Sequence, residues 1–367
     1  VKNLKKFIGS SIFVGLLLLP PALLWLWARP PELIRVGAAY TAKTVCSNVF
    51  LAHRDPAQVL ATDVQAPGHP LLKLMLIQVD WHLKRVRAGL FGFIGGGLAI
   101  DRPGVGCAVV PDGRPATGGA AFDPSPHAMV EAPDEAAGAT NLKLRAVLDD
   151  DALAGPGMRA IVVLHEGRLV AERYAGGFRR DTPQLGWSMT KSVTAGLIGV
   201  LIEDGRLALD RSAGWRGDDA RGRITIADLM SMTSGLGFNE EYGAVSDVTR
   251  MLYLEPDMAA FARAQPLAHP VGKVWSYSSG SAVILAQIVQ DSAGADAATF
   301  ARTHLFEPLG MTSAVLETDE KGTLVGSSYL YATPRDWARY GQLLVQDGVW
   351  QGRDILPRGY VAMMASP

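Results

Sequence analysis

A chain of 367 residues, 48% hydrophobic and 19% charged, holds enough apolar material for one large catalytic domain or two smaller ones and reads as globular. With 35 Lys plus Arg against 36 Asp plus Glu the formal net charge is −1, so no overall field gathers nucleic acid, and a nucleic-acid partner is excluded.

The chain begins with Lys2, Lys5 and Lys6 ahead of a run over residues 7–28 that is apolar apart from Ser10 and Ser11, long enough to span a bilayer. It exceeds a signal-peptide core and no A-x-A site follows it directly. Residues 1–29 are therefore expected to remain as an N-terminal anchor, kinked at Pro20-Pro21, although small residues at 38–42 offer a cleavage point. The lysines before the run put the N-terminus in the cytoplasm and the rest outside, giving a cell-envelope protein on the periplasmic face of the inner membrane. Cys46 and Cys107 show no metal-ligand spacing. In an exported chain they suggest one disulfide, and two buried free thiols are the alternative; the cysteines alone do not choose. Lys43 stands where a lipobox wants an aliphatic residue, which argues against lipidation at Cys46.

Residues 30–138 read as a small, β-rich accessory region and a linker. Strands are expected over 73–79 and 98–110, and the Ala-, Pro- and acid-rich stretch 118–138 is the linker. From residue 139 onward the pattern sharpens. The spacing predicts a helix over 142–153, then two strands, 158–165 and 168–174, around a tight Glu166-Gly167 turn. A small and aliphatic run over 189–203 predicts a helix stopped by Asp204-Gly205. Thr225-Ile226-Ala227-Asp228 fits a capping box opening a helix through Ser231. Further helices are predicted over 280–293 and 334–346. Helices among a few strands, without βαβ alternation, give an α+β fold class.

Ser188-Met189-Thr190-Lys191 places a lysine almost one helical turn from a serine, on the same face, at the start of that apolar helix. Serine is a weak nucleophile until a neighbour takes its proton, and a lysine amine with a lowered pKa can do so. The helix N-terminus would add backbone N–H groups for a developing oxyanion. Taken alone, the spacing is also that of an ordinary helix start with Ser188 capping and Lys191 exposed. The helix that follows is apolar on nearly every side, so a lysine within it needs a reason.

A second polar, aromatic turn, Trp275-Ser276-Tyr277-Ser278-Ser279-Gly280, precedes another apolar helix. The order S-x-x-K, then Thr225 to Leu236 as T-x-x-x-L-M-x-x-T-S-G-L, then Tyr277-Ser278-Ser279-Gly280 resembles the class C beta-lactamase-like serine hydrolases, closest in pattern to the 6-aminohexanoate-dimer hydrolase and esterase group. The resemblance runs from about residue 142 to the end. It implies the beta-lactamase, penicillin-recognising fold, helices packed on an antiparallel sheet, over residues 139–367. It assigns Ser188 as nucleophile and sets the Tyr277 phenol beside Ser188 and Lys191. A phenol hydrogen-bonded to an ammonium couples the two in proton exchange, and either can be written as the base. Ser279 stands where the family's beta-lactamases carry Asn, so the resemblance implies an esterase or amidase on a small ester or amide. D-alanyl peptidase or beta-lactamase-type activity on peptidoglycan-like substrates, and a catalytically silent envelope binding protein, are the alternatives. Residues 237–242 are similar to the loop that brings a second tyrosine over the cleft in the dimer-hydrolase group, making Tyr242, with Ser279 and Trp187, a candidate substrate contact. Family members continue past an Arg358-Gly359-Tyr360-like helix to strands carrying K-T-G or H-x-G. This chain stops at Pro367, and the closing strands are expected to be missing.

No G-x-S-x-G elbow surrounds Ser188, the Gly95 to Gly97 run lacks a P-loop ending, and His165-Glu166 reads as a turn pair. Nothing in the sequence asks for a cofactor or a metal, and nothing in it sets an oligomeric state.

Overall fold

The computed structural model describes residue 21 and residues 24–113, 142–216, 218–294 and 297–366. Among them no helix is long and apolar enough to cross a membrane, so the expected anchor finds no support there; most of it, residues 1–20, lies outside the described residues. The expected linker at 118–138 also lies outside them.

The accessory region is built on a helix that the sequence reading does not contain. Helix α1 (Glu32–Phe50) starts after Pro31, whose extended backbone closes it off upstream, and Glu32 sits in the first turn where the helix dipole favours a carboxylate. It includes the small residues once offered as a cleavage point, here buried. Against α1 lies an antiparallel sheet, β1 (Met75–Asp80), β2 (Arg85–Leu90), β3 (Ile94–Arg102) and β4 (Gly106–Val109), in that spatial order. The single strand expected over 98–110 is two strands, because Gly104 and Gly106 take φ of 75° and 63° and turn the chain back. The glycine run has a packing reason as well: a Cβ at Gly97 would lie 2.3 Å from the Ala38 carbonyl carbon, so only glycine lets β3 approach the helix backbone. Cys46 and Cys107 form a disulfide, Cα atoms 6.1 Å apart, tying α1 to β4.

In the following segment the expected helix over 142–153 is broken. Helix α2 (Leu142–Leu148) ends, and Asp150 restarts a short turn by accepting from Ala152 N at 2.8 Å, the local side-chain bond that makes aspartate poor in helix interiors. Strands β5 (Ala160–His165) and β6 (Arg168–Tyr174) pair as a hairpin whose turn residues Glu166 and Gly167 both have positive φ, 50° and 76°. A three-stranded antiparallel sheet, order β7-β9-β8, joins β7 (Gln184–Leu185), β8 (Val315–Leu316) and β9 (Leu330–Ala332).

Helix α3 (Met189–Glu203) follows β7 and stops where Gly205 takes φ of 68°. Helix α4 (Ile226–Met230) carries the capping box: Thr225 Oγ1 accepts from Asp228 N at 3.1 Å and Asp228 Oδ2 from Thr225 N at 2.9 Å. Helices α5 (Asp247–Leu254) and α6 (Met258–Ala264) lead to α7 (Ser279–Ala293), capped by Ser278, and α8 (Pro334–Val345), capped by Thr333. Helices α3 and α7 lie side by side in the main apolar core.

Helix α1 belongs to two cores. Ala38, Ala42 and Val45 pack on Met75, Val86 and Ile94 of the sheet, whereas Val36 and Ala39 join the core containing Val193, Leu197 and Tyr329. Burial on both faces explains its lack of an amphipathic pattern. Lys43 is 1% exposed and ion-paired with the fully buried Glu317; the ammonium also donates to Ser47 Oγ at 3.0 Å and to the Cys107 carbonyl at 2.7 Å. Burial pushes the Lys43 amine down and the Glu317 carboxyl up, and each counters the other's shift.

Candidate active site

Four segments converge on the start of α3. Ser188 occupies the N-cap position, yet its side chain makes no capping bond and stays exposed. Its hydroxyl instead meets Lys191, whose Nζ donates to Ser188 Oγ at 3.2 Å. The same ammonium donates to Ser279 Oγ at 3.1 Å and to the Ser327 carbonyl at 2.9 Å. An ammonium has three N–H bonds, and these acceptors use all of them.

Tyr277 ends the polar turn before α7, and its ring centroid lies 4.9 Å from Lys191 Nζ. The ammonium faces the ring rather than the phenol oxygen, and the Tyr277 hydroxyl makes no hydrogen bond among the described residues. The hydrogen bond expected between phenol and ammonium is therefore replaced by a cation–π contact. The reason is saturation: the lysine's donors are held by three serines.

Ser279, fully buried as the first residue of α7, is held by a residue that the sequence reading left as an ordinary loop member. Glu240 accepts from Ser279 N at 2.8 Å and from Ser279 Oγ at 2.5 Å. Tyr242 Oη donates to the same carboxylate at 3.3 Å. Ser279 Oγ thus accepts from Lys191 while donating to Glu240, which fixes its orientation. Partial burial raises the Tyr242 phenol above its ordinary range, and the Glu240 carboxylate adds to the shift. Glu240 reaches Ser279 across 39 residues and Ser327 acts through its carbonyl, so neither left a local signal in the sequence.

Trp187 precedes the nucleophile with φ of 45°, a left-handed conformation that costs a non-glycine residue roughly 1–2 kcal/mol. Its ring leans on Tyr329 with centroids 5.7 Å apart. The strained residue turns the chain sharply from β7 into α3. The Ser188 backbone N–H has no hydrogen-bond partner among the described residues, leaving a donor free at the helix N-terminus, where negative charge is favoured.

Trp187, Ser188 and Tyr242 line a cleft of about 570 Å³. The structure thus brings all six sequence-predicted site residues together: Ser188, Lys191, Tyr277 and Ser279 at the centre, Trp187 and Tyr242 at the rim.

A family model described as Beta-lactamase matches residues 149–366. The 6-aminohexanoate-dimer hydrolase of Paenarthrobacter ureafaciens is 25% identical over 218 residues, 55% of each chain. A solved structure from Bacillus anthracis, named as a presumed 6-aminohexanoate-dimer hydrolase, superposes with a TM-score of 0.50 at 28% identity, covering 56% of this chain and 58% of that one. The chain spans about half the length of the curated relative it matches. On the family match, the chain belongs to the beta-lactamase-like serine hydrolase family.

Proposed function

We propose that this protein hydrolyses a small ester or amide through an acyl-enzyme on Ser188. The observation that carries the reading is the 3.2 Å approach of Lys191 Nζ to an exposed, uncapped Ser188 hydroxyl at the edge of a cleft. In the acylation step the Lys191–Tyr277 pair takes the Ser188 proton while Oγ bonds to the substrate carbonyl carbon. Tyr277, beside the lysine, passes a proton to the leaving alcohol or amine as its bond to that carbon breaks. Water then attacks the acyl carbon as the same pair accepts its proton, the bond from that carbon to Oγ breaks, and the pair returns the proton to Oγ as the acid departs. The free N–H of Ser188 is a donor for the oxyanion formed in both steps.

An extracytoplasmic location is the companion proposal, and the Cys46–Cys107 disulfide supports it, since such bonds persist in oxidising compartments. Thiol alkylation of protein taken from the envelope should find no free cysteine; two alkylated thiols would count against it.

The test of the catalytic reading is covalent. A fluorophosphonate should add one adduct to the full chain by intact mass, and Ser188→Ala and Lys191→Ala should add none. A folded wild-type protein that stays unlabelled sinks the nucleophile assignment.

A further inference from the structure

The cleft has one wall from the catalytic segment and one from the accessory segment. Leu33 and Val36 of α1, with Leu71 and Leu72 from the turn before β1, line it together with Trp187 and Ser188. No carboxylate, ammonium or guanidinium lines it among the described residues; its one imidazole is His69, whose Nδ1 accepts from Leu71 N at 3.1 Å and whose Nε2 is then the N–H donor. The hydroxyls at its edge are already paired inside the protein. Tyr40 Oη donates to the Asp63 carbonyl at 3.1 Å, Thr249 Oγ1 to the Ala244 carbonyl at 2.9 Å, and Tyr253 shares a 2.9 Å hydrogen bond with Tyr329. With these acceptors taken up and no carboxylate in the lining, an ammonium entering the cleft would lose water without gaining an anionic partner.

On the hydrolase reading above, we infer that the accessory wall selects substrates with an apolar acyl chain and rejects those whose chain ends in a free ammonium. The catalytic segment supplies the acyl-transfer groups, and residues 33–72 supply the surface that the chain lies on. The volume suits this occupant, falling within the range of sites that enclose small organic ligands.

The experiment compares second-order rates of Ser188 labelling in the full chain by three fluorophosphonates whose phosphorus carries an ethyl group, an octyl group, or an octyl-length chain ending in an ammonium. Each buried methylene is worth up to about fourfold in rate. The octyl probe should label at least about tenfold faster than the ethyl probe, and the ammonium probe should lose that gain. In Leu33→Asp and Leu71→Asp the octyl-to-ethyl ratio should fall about fivefold or more, whereas Val345→Asp, exposed and outside the cleft, should leave it unchanged. Both probes read the same folded molecules, so partial misfolding cancels in the ratio. A ratio near one in wild type, or one that neither wall variant moves, overturns the inference and leaves the hydrolase reading standing. Failure of every probe to label overturns the hydrolase reading, and the inference falls with it.

Discussion

Glu240 holds Ser279 by two hydrogen bonds and Tyr242 by a third, so one carboxylate positions both a neighbour of the catalytic lysine and a rim aromatic. A glutamine there would put an amide N–H₂ against one of two groups that need an acceptor. Glu240→Gln is expected to lower kcat/KM by roughly ten- to a hundredfold, the worth of one hydrogen bond to a charged group. Because Glu240 acts through Ser279, the loss should not add to that of Ser279→Ala in the double variant; additive losses would show two separate roles. The four central residues were legible because each occupies a motif whose order along the chain is informative. Glu240 was not, since its contact with Ser279 spans 39 residues and no local spacing announces it. The facing of the lysine toward the Tyr277 ring was likewise invisible, as it follows from three serines competing for one ammonium.

Helix boundaries followed the caps. Thr225, Ser278 and Thr333 each announce a helix by a side chain that can accept from the first turn, and α4, α7 and α8 begin within a residue of where the sequence sets them. Helix α1 gave no such signal: it is buried on both faces and rich in small residues, so no polar stripe marks it. Between elements, Arg335 of α8 donates to both oxygens of Glu172 on β6, at 2.9 and 2.8 Å, fastening the hairpin to the helix. That bonding holds the Glu172 carboxyl below its ordinary value of 4.5. A carboxyl depressed in the folded state stabilises above its unfolded pKa and loses that contribution as pH falls through the lower folded value. Glu172→Gln should therefore cost roughly 0.5–1 kcal/mol at pH 7, because the pair is partly exposed, and the difference should shrink as the pH drops below about 4.5. Thermal melts of both proteins between pH 3 and 7 check this; a constant gap would mean that shape rather than charge is lost.

Across the whole molecule, the accessory and catalytic segments are joined by a buried charge pair. Removing one partner of such a pair leaves the other unpaired away from water and typically costs about 3–5 kcal/mol. Lys43→Met should destabilise the fold by that amount in urea titrations, and adding Glu317→Gln, which keeps an acceptor for Cys107 N, should recover at least half of it. If the second change brings further loss, the pair is not what holds the two segments together. Nothing in the sequence flags this contact. Lys43 reads there only as a residue that spoils a lipid-attachment motif, because its partner lies 274 residues away.

That separation also sets an order in time. A chain emerging from the ribosome presents Lys43 long before Glu317 exists, and at roughly 5–20 residues per second the wait is on the order of tens of seconds. During that interval the helix carrying Lys43 lacks the carboxylate that pairs with it, and burying the ammonium is opposed. The cleft's accessory wall is first to be made and last to be locked. Its final seating waits for the loop that also carries Ser327, so the substrate surface and the acceptor that steadies Lys191 mature in the same step.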